Sequence, residues 1–261
     1  MRHERVGFLP KTRRWNDLVK QIGEMYPSEV PTATIAAQTL KIVRKRYETL
    51  SKDDAVKEVF TFLIAFSRAC RFQDVQTQLR NSGIKLSEQP TLLSVVKALR
   101  EYVPIHEASS EYGQLAIAAA ADAIGQWHKL HATSQLPLFK PSADFFESWR
   151  NVGDGAGFCE LARLYFGRLT ERYLNYFLDR VSSATFSSIQ QREQFQQESR
   201  AHLDDISKHA FETAKITQSF AAGWFNKNVR ERVPDSKEIE GFLAVAFGKL
   251  RDELRREEEA K

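Results

Sequence analysis

The stretch NVGDGAGFCELARLYFGRLTERYLNYF, residues 151–177, joins a cluster of glycines to a run of aromatic residues at helical spacing. A phosphate-binding P-loop requires a preceding strand and a lysine followed by serine or threonine after the glycines, and the sequence shows neither pattern. We therefore interpret Gly153, Gly155 and Gly157 as the end of one helix and the start of the next. Asp154 is the predicted cap of the new helix.

Helical spacing of apolar residues recurs along the rest of the chain, and no pair of segments alternates as strands do. This pattern predicts an all-α protein, a multi-helix bundle of about ten helices. Ser51 is the predicted N-cap of the third helix, and Pro234 ends a long helix that begins after residue 188. The predicted helices cover roughly residues 12–26, 32–50, 52–70, 72–82, 88–103, 109–131, 142–150, 157–183, 188–233 and 237–258.

The chain offers one candidate domain boundary, the proline-containing segment 132–144. It predicts an N-terminal helical lobe with a basic face, residues 1–135, and a C-terminal lobe with long paired helices, residues 136–261. One continuous domain is the alternative. The helix predicted before this segment is rich in small residues, which favours a central, buried position, and its only mid-helix charge, Asp122, requires a partner or a wet edge.

Charge is distributed unevenly along the sequence. The first fifty residues contain ten Lys/Arg and five Asp/Glu, a net +5, so the remaining residues sum to −1 for a total of +4. A basic face of this kind predicts contact with a phosphate backbone or with an acidic protein surface. The candidate residues for nucleic-acid or anion binding in this region are Lys11, Arg13, Arg14, Lys41, Arg44 and Lys45.

Two further arginines lie on the aromatic helix that follows the glycine turn. Arg172 falls inside an arc of apolar residues, and Arg168 lies at its edge. A guanidinium in that position must be paired with an acid, reach water, or bind an anion. We predict pairing with Asp179 or with an acid on another helix, and we keep an anion site formed by Arg168 and Arg172 as the alternative.

Histidines occur in two patterns that resemble functional spacings. Glu198, His202, Asp205, His209 and Glu212 share one helical stripe, but no HExxH frame is present, so the stripe indicates a solvated face. We expect no metal and no cofactor. His128 and His131 lie near a helix C-terminus, where histidine is electrostatically favourable without any ligand.

The segment REYVPIH contains Arg100 and His106, with Pro104 between them. This spacing resembles the arginine-to-histidine motif of the helical HEPN-type ribonucleases. The resemblance covers this one motif and implies a helical enzyme as an alternative function.

A stripe of small residues on the helix predicted over 188–233 indicates close packing with another helix. The last helix could fill this seam internally, or a second copy of the chain could. The candidate partner interface comprises Ala210, Ala214, Thr217, Ala221 and Trp224.

Cys70 and Cys159 lie in apolar contexts without metal-ligand spacing, which is typical of buried thiols in a reducing compartment. The apolar runs are too short to span a bilayer, and the basic N-terminus lacks the apolar core of a signal peptide. We expect a cytoplasmic protein with a protein partner or self-association and no membrane contact. The leading hypothesis is a non-enzymatic helical subunit or adaptor of a larger complex; the alternatives are nucleic-acid binding by the basic helices and a HEPN-like ribonuclease.

Overall fold

The computed structural model describes residues 13–24, 49–131, 145–185 and 219–259. It also describes residues 39, 42, 47, 188–190, 192–194, 196–198, 200–201 and 204. Within these ranges the chain forms helices and no strand, so the all-α prediction is confirmed. The α-helices are α1 (Arg13–Glu24), α2 (Asp54–Ala69), α3 (Val75–Asn81), α4 (Leu92–Tyr102), α5 (Ile105–Ala108), α6 (Glu111–His131), α7 (Gly155–Thr185), α8 (Phe220–Asn228) and α9 (Ser236–Glu259). Two 3₁₀ helices, Leu50–Lys52 and Phe145–Gly153, complete the described elements.

Helix α7 is the central element, because it packs against α1, α6, α8 and the second 3₁₀ helix. Helix α2 packs against α6, and α9 packs against α2. The small residues of α6 let α7 approach closely: Ala116, Ala119, Ala120 and Ala123 are all buried. The expectation that this alanine-rich helix is central and buried is confirmed.

Aromatic rings hold the core together. Phe60 of α2 lies 5.9 Å from Tyr165 and 5.2 Å from Phe166 of α7, and 5.0 Å from Phe242 of α9, measured between ring centroids. Each fully buried ring of this kind stabilises the fold by about 1.5–3 kcal/mol relative to an exposed one. The same core cluster contains residues on both sides of segment 132–144, and the division into two lobes stays a prediction.

The glycine turn that precedes α7 is structural, as predicted. Asp154 caps the helix, because its Oδ1 accepts a hydrogen bond from the backbone N–H of Gly157 at 2.7 Å. A Cβ atom at Gly157 would collide with the carbonyl oxygen of Asn151, and one at Gly153 would lie 2.9 Å from the backbone nitrogen of Arg71. Close backbone approach therefore requires glycine at these two positions.

Two details of the predicted helices were wrong. The N-cap of α2 is Asp53, whose Oδ1 accepts from the N–H of Val56 at 3.0 Å, whereas Ser51 lies within the first 3₁₀ helix. The long helix predicted over 188–233 is interrupted at Ser219, which is extended with φ −65° and ψ 152°. The Ser219 hydroxyl accepts from the N–H of Ala222 at 3.1 Å and so starts a separate helix, α8. Helix α8 ends at Asn228, so Pro234 does not end it as predicted.

Candidate functional site

Arg168 lies in a buried charged cluster between α6, α7 and residue 204. Its guanidinium donates to Glu171 Oε2 at 2.8 Å, to Gln126 Oε1 at 2.9 Å and to Asp204 Oδ2 at 3.1 Å. Glu171, with a side chain only 6% exposed, also accepts from Arg200 Nε at 2.9 Å. Burial raises the pKa of Asp204, and the charge of Arg168 opposes that rise. The cluster satisfies its charges internally.

Arg172 pairs with the mid-helix acid that the sequence singled out. Its Nε and Nη2 donate to Oδ2 of Asp122 on α6 at 3.1 and 2.6 Å, so the predicted partner on another helix is found and Asp179 is not needed to explain it. Both arginines therefore join α7 to α6. The alternative of an anion site at Arg168 and Arg172 stays a prediction without support from these contacts.

Two adjoining hollows lie beside Arg172 and Tyr176. The larger, about 680 Å³, is also lined by Arg100 and Glu111; the smaller, about 410 Å³, is also lined by Glu171. Tyr176 donates a hydrogen bond to Glu111 at 3.2 Å. Each hollow is lined by two arginines and one glutamate. Arg172, which lines both, is paired with Asp122, and Arg200 is paired with Glu171.

The arginine and the histidine of REYVPIH lie on different helices, Arg100 on α4 and His106 on α5. Arg100 lines the larger hollow, whereas His106 is not among the residues that line it. His106 is exposed, and its Nε2 lies 2.8 Å from the carboxylate of Glu107. The ribonuclease alternative stays a prediction.

The other histidines near α6 have structural surroundings. His128 is buried and stacks on Trp149 at 5.8 Å, and burial lowers the pKa of its imidazole. His131 lies 3.0 Å from the Glu160 carboxylate on α7. Of the acid–histidine stripe, Glu198 accepts from Gln194 at 3.0 Å; His202, Asp205, His209 and Glu212 lie outside the described residues. Within the described part of the chain, no group of three or more metal-binding side chains is assembled.

Only part of the basic N-terminal surface falls within the described residues. Arg13 and Arg14 are exposed on α1, and Arg13 lies 4.0 Å from Asp17. Trp15 is buried against Phe177, so it belongs to the core rather than to a base-stacking platform. Lys11, Lys41, Arg44 and Lys45 lie outside the described residues.

Two residues of the predicted partner interface, Ala221 and Trp224, lie within the described part of the chain, and both contact other helices of the same chain. Ala221 is buried, and the ring of Trp224 lies 4.7 Å from that of Phe242 on α9. Helix α8 packs chiefly on α7 and contacts α9 through the ring of Phe242. Ala210, Ala214 and Thr217 lie outside the described residues.

The opposite, outer face of α9 is the surface that sequence reasoning missed. Gly241, Ala244 and Val245 are exposed and Gly248 is half-buried, whereas the inner face buries Phe242 and its apolar neighbours. We call Gly241, Ala244, Val245 and Gly248 the α9 outer face. A Cβ atom built at either glycine would meet no heavy atom within 4 Å. Glycine in a helix interior is about 1 kcal/mol less favourable than alanine, so these two positions weaken the helix with no packing reason inside the described chain.

Comparison with known proteins found no matching family model, no matching curated protein and no matching solved structure. Among the described helices, none is both long enough and apolar enough to cross a bilayer.

Proposed function

We propose that this protein is a non-enzymatic helical interaction protein, a subunit of a larger complex, and that it binds its partner through the α9 outer face. The observation that carries the proposal is the pair of glycines with open space around them, Gly241 and Gly248. They are seven residues apart, so they lie on the same side of the helix about 10.5 Å from one another. A second helix could pack against this side at close range because no side chain holds it away.

The residues between the glycines support the same role. Val245 is 48% exposed and Ala244 is exposed beside it, so the outer face presents an apolar, nearly smooth strip. A strip of this kind gains free energy when a partner removes it from water, and it lacks long side chains whose freedom would be lost.

The paired arginines of α7 favour an architectural role over catalysis. Arg168 and Arg172 donate to protein carboxylates, and those contacts connect α6, α7 and residue 204. A catalytic group needs its reactive atom directed at a substrate, whereas these guanidinium groups are directed at Glu171, Asp204 and Asp122.

The test compares two substitutions that each place a glutamate at an exposed apolar position. Val245→Glu lies on the α9 outer face, and Leu93→Glu, at a 54% exposed residue of α4, is the matched control. We expect the tagged protein, purified at low salt from its own cells, to keep its associated protein in the control and to lose it in Val245→Glu. Equal retention in both variants would contradict the proposal.

Two parts of the proposal concern compartment and the alternative partner. Cys70 and Cys159 are both buried thiols, which supports a reducing location, and we propose the cytoplasm. Nucleic-acid binding by the basic N-terminal residues stays an alternative prediction; it requires affinity that falls steeply with salt and is abolished by a fourfold charge reversal. The substitutions for that test are Arg13→Glu, Arg14→Glu, Arg44→Glu and Lys45→Glu.

A further inference from the structure

The segment that forms most of α9, KEIEGFLAVAFGKLRD (237–252), is close to a mirror image of itself about the bond between Ala244 and Val245. Apolar and small residues reflect onto residues of the same type. Every charged residue reflects onto a residue of opposite charge. The mirrored pairs are Lys237 with Asp252, Glu238 with Arg251, Ile239 with Leu250, Glu240 with Lys249, Gly241 with Gly248, Phe242 with Phe247, Leu243 with Ala246, and Ala244 with Val245.

A twofold axis converts this mirror pattern into contacts. When two identical helices pack antiparallel around a twofold axis, a residue at one distance from the axis meets the residue at the same distance on the other side. With the axis between Ala244 and Val245, Gly241 of one copy meets Gly248 of the other, and Lys237 meets Asp252. The two small-residue contacts then flank the axis, and the opposite charges close both ends of the seam.

The helix geometry places the required residues on one side. At about 100° per residue, Lys237, Gly241, Gly248 and Asp252 fall within an arc of about 60°. Ala244 and Val245 lie on either side of this arc, and all six residues are exposed or half-buried. The buried residues of α9 occupy the opposite side of the helix, so self-pairing would not remove any of them from the core.

Charge selects the antiparallel arrangement over the parallel one. Residues 237–240 carry a net −1 and residues 249–252 a net +1, from one lysine and two glutamates against one lysine, one arginine and one aspartate. Antiparallel packing brings the two opposite charges together, and parallel packing brings like charges together. Glu238 is already held by Arg232 at 2.8 Å, whereas both bonds from Arg251 to Asp252 use Oδ1 alone, so Oδ2 of Asp252 can accept from Lys237 of the second copy and this pair reports the orientation.

We propose that the partner of the α9 outer face is a second copy of this chain, packed antiparallel about a twofold axis between Ala244 and Val245. This inference rests on the proposed function, since it names the occupant of the same surface. The complex would be a symmetric homodimer whose self-complementary patch is α9 itself.

Cysteine crosslinking of the full-length chain tests the arrangement. Under the proposal, residue 237 of one copy lies beside residue 252 of the other, whereas two copies of residue 237 are about 22 Å apart, far beyond disulfide reach. We therefore expect a mixture of Lys237→Cys and Asp252→Cys proteins to form the mixed disulfide at least about tenfold faster than either protein alone. Native Cys70 and Cys159 are buried, and Leu93→Cys gives the background rate.

The introduced cysteines could themselves disturb the surface, so a second measurement avoids them. Analytical ultracentrifugation of the wild-type chain and of Val245→Glu, over about a hundredfold range of concentration, measures the oligomeric state directly. A wild-type dimer that becomes a monomer in Val245→Glu supports it. Same-residue crosslinks, or a wild-type monomer, overturn the antiparallel homodimer. The wild-type chain could instead be a monomer that binds a different protein. If Val245→Glu abolishes that binding and Leu93→Glu does not, the proposed function stands and only the homodimer is wrong. If neither substitution affects any protein partner, both the homodimer and the proposed function are wrong.

Discussion

We expect replacement of Gly241 and Gly248 by alanine to stabilise the folded chain and to weaken its association. Both glycines lie in the interior of α9, and a Cβ atom at either would meet nothing within 4 Å. Alanine therefore removes the helix penalty of glycine without a clash, which raises the free energy of unfolding by about 0.5–1 kcal/mol at each position. The sites are about 10.5 Å apart, so the two gains add to about 1–2 kcal/mol.

The stability gain must be measured on the isolated chain, because association itself stabilises a folded protein. We would compare Val245→Glu alone with Val245→Glu carrying both alanines, using urea and thermal unfolding monitored by circular dichroism. In the thermal scans, the denaturation temperature should rise by about 2–4 °C for each kcal/mol gained. In the chain with native Val245, the same two alanines should weaken association, because each adds a methyl group where the two helices approach most closely.

Gly157→Ala is the control for this argument, since a Cβ atom there would collide with the Asn151 carbonyl. It should lower the free energy of unfolding by about 1–3 kcal/mol. If the two α9 alanines also destabilise the isolated chain, or leave association unchanged, then the glycines are there for another reason and the α9 outer face is not the interface.

Three further predictions concern the core and the helix caps. Glu171→Gln should lower the free energy of unfolding by about 3 kcal/mol in urea titrations, because the buried Arg168 loses a charged partner. The control, Glu238→Gln, removes a charge from an exposed pair and should change the free energy of unfolding little. Equal effects of the two substitutions would show that burial does not strengthen the dependence of Arg168 on Glu171. Burial holds the pKa of His128 below its unfolded value of about 6.5, so the unfolded state binds a proton first as the pH falls; stability should decrease as the pH is lowered through about 6.5, and this decrease should be smaller in His128→Gln. Asp53→Ala should cost about 1 kcal/mol by thermal unfolding, since it removes the cap of α2, and an unchanged transition would argue against that cap.

The sequence predicted those features that depend on neighbours along the chain. Asp154 lies three residues before the N–H that it caps, and Gly83, with φ 79°, follows α3 close to the predicted helix end at residue 82. Short-range chemistry of this kind is visible in a single sequence because capping and left-handed turns have few solutions. Reasoning from neighbouring residues gave the wrong cap for α2. It favoured Ser51, but Asp53, two residues later, has the same capping chemistry and is the N-cap in the structure.

Features that depend on distant residues could not be predicted. Asp122 and Arg172 were each recognised as charges that need a partner, but fifty residues separate them, and helical spacing does not say which helices are adjacent. The α9 outer face was hidden for a related reason. The sequence places Gly241 and Gly248 in a helix but does not say which side of that helix they occupy. The burial of Phe242 shows which side of α9 faces the core and therefore that both glycines lie on the outer side. Orientation relative to the core is a property of the packed fold.

Hydrogen–deuterium exchange of the purified, associated protein tests the central claim that α9 is the association surface. The reference is the Val245→Glu chain under the same conditions. We predict that amides of residues 237–252 exchange more slowly in the associated wild-type protein, while those of α4 (Leu92–Tyr102) exchange equally in both. Unchanged exchange over residues 237–252, with new protection on another surface, would contradict the account.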